Sequence, residues 1–85
     1  MIGTAGKESK QDCLVKVDLR KEGGLEVSLT SSVGKLFGNQ IRKAAVEAAE
    51  ELGIKHAFIE IIDDGCFDFA VKARTKTAIK RAGGN

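Results

Sequence analysis

The chain has 85 residues, 42% of them hydrophobic and 31% charged, a balance that suits one small folded domain with a well-solvated surface. This length excludes a second hydrophobic core, and the periodic recurrence of apolar residues excludes a disordered chain. A formal net charge of +2 is too small to be the electrostatic footprint of a nucleic-acid binder.

Residues 1–11 hold little that could be buried and are expected to form a mobile arm, with residues 12–85 as the single folded domain. From Cys13 the pattern changes: Cys13, Val15, Val17 and Leu19 alternate with Leu14, Lys16 and Asp18, the period of a half-buried strand. Lys21-Glu22-Gly23-Gly24 is a turn signal. Leu25, Val27 and Leu29 then alternate with Glu26, Ser28 and Thr30, so the two runs predict an antiparallel hairpin.

Ser31 and Ser32 offer an N-cap, because a serine oxygen can accept an orphan backbone N–H of a first helical turn. Val33, Leu36, Phe37, Ile41, Ala44, Ala45, Ala48 and Leu52 follow at helical spacing, and Gly53 stands where a helix would stop. Residues 54–62 are apolar on both faces apart from His56 and Glu60, which predicts a central strand. Asp63-Asp64-Gly65 is a turn signal. Phe67, Phe69, Val71 and Ala73 alternate again and predict a hairpin partner for that strand. Residues 75–82 predict a short basic C-terminal helix before Gly83 and Gly84. The expected order is therefore β-β-α-β-β-α. This is an α+β two-layer sandwich with one antiparallel-rich sheet, a long central helix and a short C-terminal one.

A search for catalytic chemistry finds little. No Ser/His/Asp set is indicated, and the one histidine, His56, lies in an apolar stretch where a structural role is expected. Cys13 and Cys66 fall in expected strands and read as small core residues; with no paired spacing they suggest no metal site. Gly34-Lys35-Leu36-Phe37-Gly38 lacks the Lys-Ser/Thr pair of a phosphate-binding loop. Glu60, Asp63, Asp64 and Asp68 form an acidic block, followed by the cations Lys72, Arg74, Lys76, Lys80 and Arg81, which read as a solvated helix face or a docking surface. No apolar run approaches the roughly 20 residues needed to cross a bilayer, and a cytoplasmic protein with reduced thiols is expected.

Three stretches carry a resemblance. Ser31-Ser32-Val33-Gly34-Lys35-Leu36-Phe37-Gly38-Asn39-Gln40-Ile41-Arg42 resembles the SSVEKxFGxxIR segment of the citrate lyase acyl carrier, or gamma, subunits. Asp64-Gly65-Cys66-Phe67-Asp68-Phe69-Ala70-Val71-Lys72-Ala73-Arg74, continuing to Arg81-Ala82, resembles that family's DKGALDCxLRAR…RA block. Ala5-Gly6-Lys7-Glu8-Ser9-Lys10-Gln11-Asp12 is similar to its AGxLESSD motif, with the register slipped by one residue and Lys10 in place of a second serine. The resemblance implies a non-catalytic carrier whose Ser9 holds a phosphoribosyl-dephospho-CoA group through a phosphodiester; Thr4 is the other hydroxyl in the stretch. It further implies partners: the alpha (acyl transferase) and beta (citryl lyase) subunits of the complex and the transferase that installs the group, with neither nucleic acid nor membrane. Acetyl would be exchanged for citryl on the group's thiol, and citryl cleaved to oxaloacetate.

Other readings stay open. A malonate decarboxylase-type carrier would use the same prosthetic group. A nucleic-acid-binding module would use the basic stretch from Lys72 to Arg81, and an adaptor domain would have lost the modification. The four-helix acyl carriers, acidic and centred on Asp-Ser-Leu, do not match.

Overall fold

Alternating apolar residues do build strands in this chain, but the strands associate in another order. A computed structural model describes residues 1–7, 12–31, 38–65 and 67–83, with backbone alone at residues 31 and 68. The elements are β1 (Ile2–Gly6), β2 (Cys13–Leu19), β3 (Leu25–Ser31), α1 (Gly38–Glu51), β4 (Ala57–Asp63) and α2 (Asp68–Arg81). The strands form one sheet in the order β1-β2-β4-β3. β1 and β4 pair antiparallel with β2, while β3 pairs parallel with β4.

The register follows from the period of two. Gly3, Val17, Ile59 and Val27 stand in one row across the sheet, and Ala5, Val15, Ile61 and Leu29 in another. Both rows face the helices. Val15, Val17 and Ile59 are completely buried, each contributing about 1.5–3 kcal/mol relative to exposure. The alternate rows, such as Thr4, Lys16, Glu60 and Ser28, form the open face of a two-layer sandwich.

α1 buries Ile41, Ala44, Ala45, Ala48 and Ala49, a stripe at helical spacing whose small side chains let it approach its neighbours closely. It ends as the glycine signal predicts. Gly53 adopts φ +73°; its N–H donates to Glu50 O at 3.0 Å, and the Ile54 N–H donates to Ala49 O at 2.9 Å. These are the two bonds of a Schellman cap. Of the two serines expected at the N-cap, Ser31 ends β3, while Ser32 and the expected first helical turns lie outside the described residues.

Three expectations are corrected. Ile2–Gly6, placed in a free arm, is an edge strand: its backbone satisfies its hydrogen bonds on β2, and Gly3 and Ala5 are small enough to lie under α2. The β2–β3 hairpin does not form, because β4 lies between the two strands. β2 and β4, the two strands with five apolar residues in seven, take the inner places and pair on both sides. Residues expected as the fourth and last strand, after Gly65, belong to α2. Val71, Thr75, Ala78, Ile79 and Ala82 are buried at i, i+4, i+7, i+8 and i+11, which only a helix can present on one face. Phe67 and Phe69, which suggested alternation, are each 70% exposed and stack on one another at 5.5 Å. The resulting order is β-β-β-α-β-α.

The helices are also joined by charge. Glu51 of α1 accepts from Lys72 and, at 2.7 Å, from Lys76 of α2. Together the two lysines hold the Glu51 carboxyl down at about 2.

Candidate functional site

The β1–β2 ladder ends in a tight pair of contacts. Gly6 lies opposite Leu14, and the Lys7 N–H donates to Cys13 O at 3.1 Å. On the other side of the connection, Asp12 Oδ1 accepts from the Cys13 N–H at 2.7 Å, and Asp12 O accepts from the Asp64 N–H at 3.0 Å. Lys7 and Asp12 are thereby held beside each other at one end of the sheet. The residues between them include Ser9, which lies outside the described residues. Thr4, the alternative hydroxyl, sits within β1 opposite Lys16.

One side chain from α2 reaches both ends of this connection. Arg74 Nε lies 2.8 Å from Asp12 Oδ1, while a Cβ added to Gly6 would lie 2.6 Å from Arg74 Cδ. Glycine is required there first by its φ of +93° and by Cys13 O, which would lie 1.9 Å from the added Cβ, and it also leaves room for the arginine stem. Arg74 Nε is buried without a hydrogen-bond partner, so its contact with Asp12 is an ion pair by proximity and not a directed hydrogen bond. A second arginine, Arg81, donates from Nη1 to Thr4 O at 2.9 Å. The periodicity of the sequence places Arg74 and Arg81 on one helix face once residues 68–81 are read as a helix. The strand reading hid this relation.

The other sequence candidates have structural places. His56 Nδ1 accepts from the Gly24 N–H at 2.9 Å and, through its carbonyl, from the Arg20 N–H at 3.1 Å. It therefore pins the turn between β2 and β3 from the opposite end of the molecule. Cys13 is completely buried in β2, and Cys66 lies outside the described residues. Four cations of the basic stretch are engaged within the chain: Lys72 and Lys76 with Glu51, Arg74 with Asp12, and Arg81 with Thr4. Among the described residues no group of three or more His, Cys, Asp or Glu side chains could hold a metal ion, and no helix is long and apolar enough to cross a membrane.

Residues 2–82 match the family model for the acyl carrier proteins described as malonate decarboxylase delta subunit (MdcD). The citrate lyase acyl carrier protein of Fusobacterium nucleatum subsp. nucleatum is 35% identical over 81 residues, covering 95% of this chain and 86% of that protein. The citrate lyase acyl carrier protein of Streptococcus mutans serotype c is 45% identical over 78 residues, or 92% of this chain and 76% of its own length. That of Halothermothrix orenii is 38% identical over 79 residues, with 93% and 83% covered.

Proposed function

This chain belongs to the acyl carrier family of the malonate decarboxylase delta subunit and the citrate lyase acyl carrier proteins, and on that premise we propose that it is the carrier subunit of a citrate lyase-type complex. The observation that carries the reading is the similarity to proteins named citrate lyase acyl carrier protein over more than nine-tenths of the chain. The attachment point is Ser9, and the group is a phosphoribosyl-dephospho-CoA joined by a phosphodiester. When bound, that group supplies the thiol on which the alpha subunit exchanges acetyl for citryl and the beta subunit releases oxaloacetate.

The residues beside the connection fit an anionic attachment. Arg74 is wedged between Gly6 and Asp12 with a buried N–H lacking a hydrogen-bond acceptor, so a phosphodiester three residues from either would meet a cation already in place. The sandwich itself presents the connection. The β1–β2 ladder and the Lys7–Cys13 hydrogen bond fix where the chain leaves the sheet and where it returns, which supports an attachment point within that connection. No catalytic acid, base or nucleophile is needed in this chain, because the partner subunits supply the chemistry.

The test is the intact mass of protein isolated from its native cell. We expect an adduct of the mass of the prosthetic group that disappears in Ser9→Ala. Unmodified protein in an active complex would overturn the proposal. A malonate decarboxylase-type carrier is the second reading, favoured by the description of the family model. The subunits that co-purify decide between the two: citryl-cleaving partners support the first, a malonyl-decarboxylating set the second.

A further inference from the structure

A groove of about 350 Å³ runs between β1 and α2, with Ala5 and Gly6 on the strand side and Ala70, Ala73, Arg74 and Arg81 on the helix side. We propose that this groove is the seat of the phosphate-bearing stretch of the prosthetic group, with Arg74 and Arg81 as its two cationic contacts. The inference rests on the carrier reading and on Ser9 as the attachment point.

Reach comes first. Ser9 is three residues from Gly6, so its Cα stays within about 11 Å of the groove's end at the fullest extension of the chain. Charge comes second. A phosphodiester followed by further phosphates is a run of negative charge, and the groove offers arginines at positions seven apart, about 10.5 Å along the helix on nearly the same face. A guanidinium has five N–H donors. The contact to Thr4 occupies one on Arg81, and the ion pair with Asp12 places the Nε of Arg74, so both heads are anchored with donors remaining. Arginine suits phosphate better than lysine would, because its planar fork binds two oxygens at once. Arg74 also stands between the Asp12 carboxylate and the groove, which offsets the repulsion that Asp12 would exert on a bound phosphate.

Shape comes third. Ala70 and Ala73 precede Arg74 on the helix and Thr77 stands between the two arginines, and these small side chains leave the space open. The volume is at the low end of small-molecule sites, roughly 300–1,000 Å³. It accommodates the ribose and phosphate portion and leaves the thiol end outside for delivery. Contacts to half-exposed arginines are screened by salt, so the seat holds the group between deliveries without retaining it.

The test uses native protein carrying its group, the same protein with Arg81→Gln, and unloaded Ser9→Ala and Ser9→Ala/Arg81→Gln, each checked by intact mass and compared by 1H–15N NMR. We expect the Ala70, Ala73 and Thr77 amides to differ between loaded protein and Ser9→Ala. In loaded Arg81→Gln they should return to the positions seen in the unloaded double variant. A loaded protein whose groove amides coincide with those of Ser9→Ala, with changes confined to Lys7 and Asp12, overturns the groove and leaves the carrier reading standing. A mass with no adduct overturns both. As a second arm, free dephospho-CoA titrated into Ser9→Ala at low salt should move the same amides, with affinity falling about tenfold or more in Arg74→Gln, as expected for one charged hydrogen bond. Equal affinity in the variant overturns the assignment of Arg74.

Discussion

Glu51 accepts hydrogen bonds from Lys72 and Lys76, and these lower its carboxyl from 4.5 to about 2; the same contact raises Lys72 above its usual 10.5. A depressed carboxylate stabilises the fold fully above its unfolded value and loses that effect as pH falls, so the window runs from about 4.5 down to about 2. The raised lysine works the other way, losing its part only above its usual value of 10.5. Glu51→Gln should therefore be less stable than the parent near neutral pH, and the two should converge towards pH 2. Denaturant midpoints across that range check this, and the gap should narrow in high salt because the groups are on the surface. The sequence shows an acid near the end of one helix and a basic stretch later, but pairing them requires the helices to be adjacent. His56 is different: its apolar surroundings already suggested a structural role, and the bond from Gly24 supplies the reason.

Gly3 decides how closely β1 and α2 meet. A Cβ there would overlap Ala78 O and Ala82 N of the helix backbone, atoms that cannot rotate away. Gly3→Ala is expected to cost about 1–3 kcal/mol, the usual range for overpacking, read as a lower midpoint in urea at unchanged m-value. Gly53→Ala should cost about 1–2 kcal/mol by a separate route, since nothing crowds the position and only the left-handed backbone is strained. The second effect was legible from a glycine after an amphipathic run. The first was not, because the arm-like composition of residues 1–11 concealed a strand. The first half of α2 was missed for a related reason, while its second half falls on the helix expected over residues 75–82. Phe67, Phe69, Val71 and Ala73 satisfy a period of two over a short window, and Phe67 at the N-cap makes no side-chain capping bond to announce the helix.

The sheet order ties the whole molecule together. β4 pairs with β2 and with β3, so it joins the first half of the chain to the second, and α1 is the crossover that a parallel β3–β4 pair requires. Ile59, completely buried in the middle of β4, touches the fold at its centre. Ile59→Ala should cost about 2–5 kcal/mol, a large part of the stability of a domain this size, with unfolding still a single transition by circular dichroism and fluorescence of a surface label.

Composition, periodicity and turn residues were enough to identify one α+β domain, the strands β2, β3 and β4, the helix α1 with its stop at Gly53, and the family resemblance with Ser9 as its candidate attachment. These are local or motif properties, written within a few residues of one another. Strand neighbours, the edge strand β1, the extension of the C-terminal helix back to residue 68 and the placing of Arg74 between Gly6 and Asp12 came only with the folded molecule. Each of them depends on which apolar face finds which partner, a competition among segments far apart in the chain that no local pattern records.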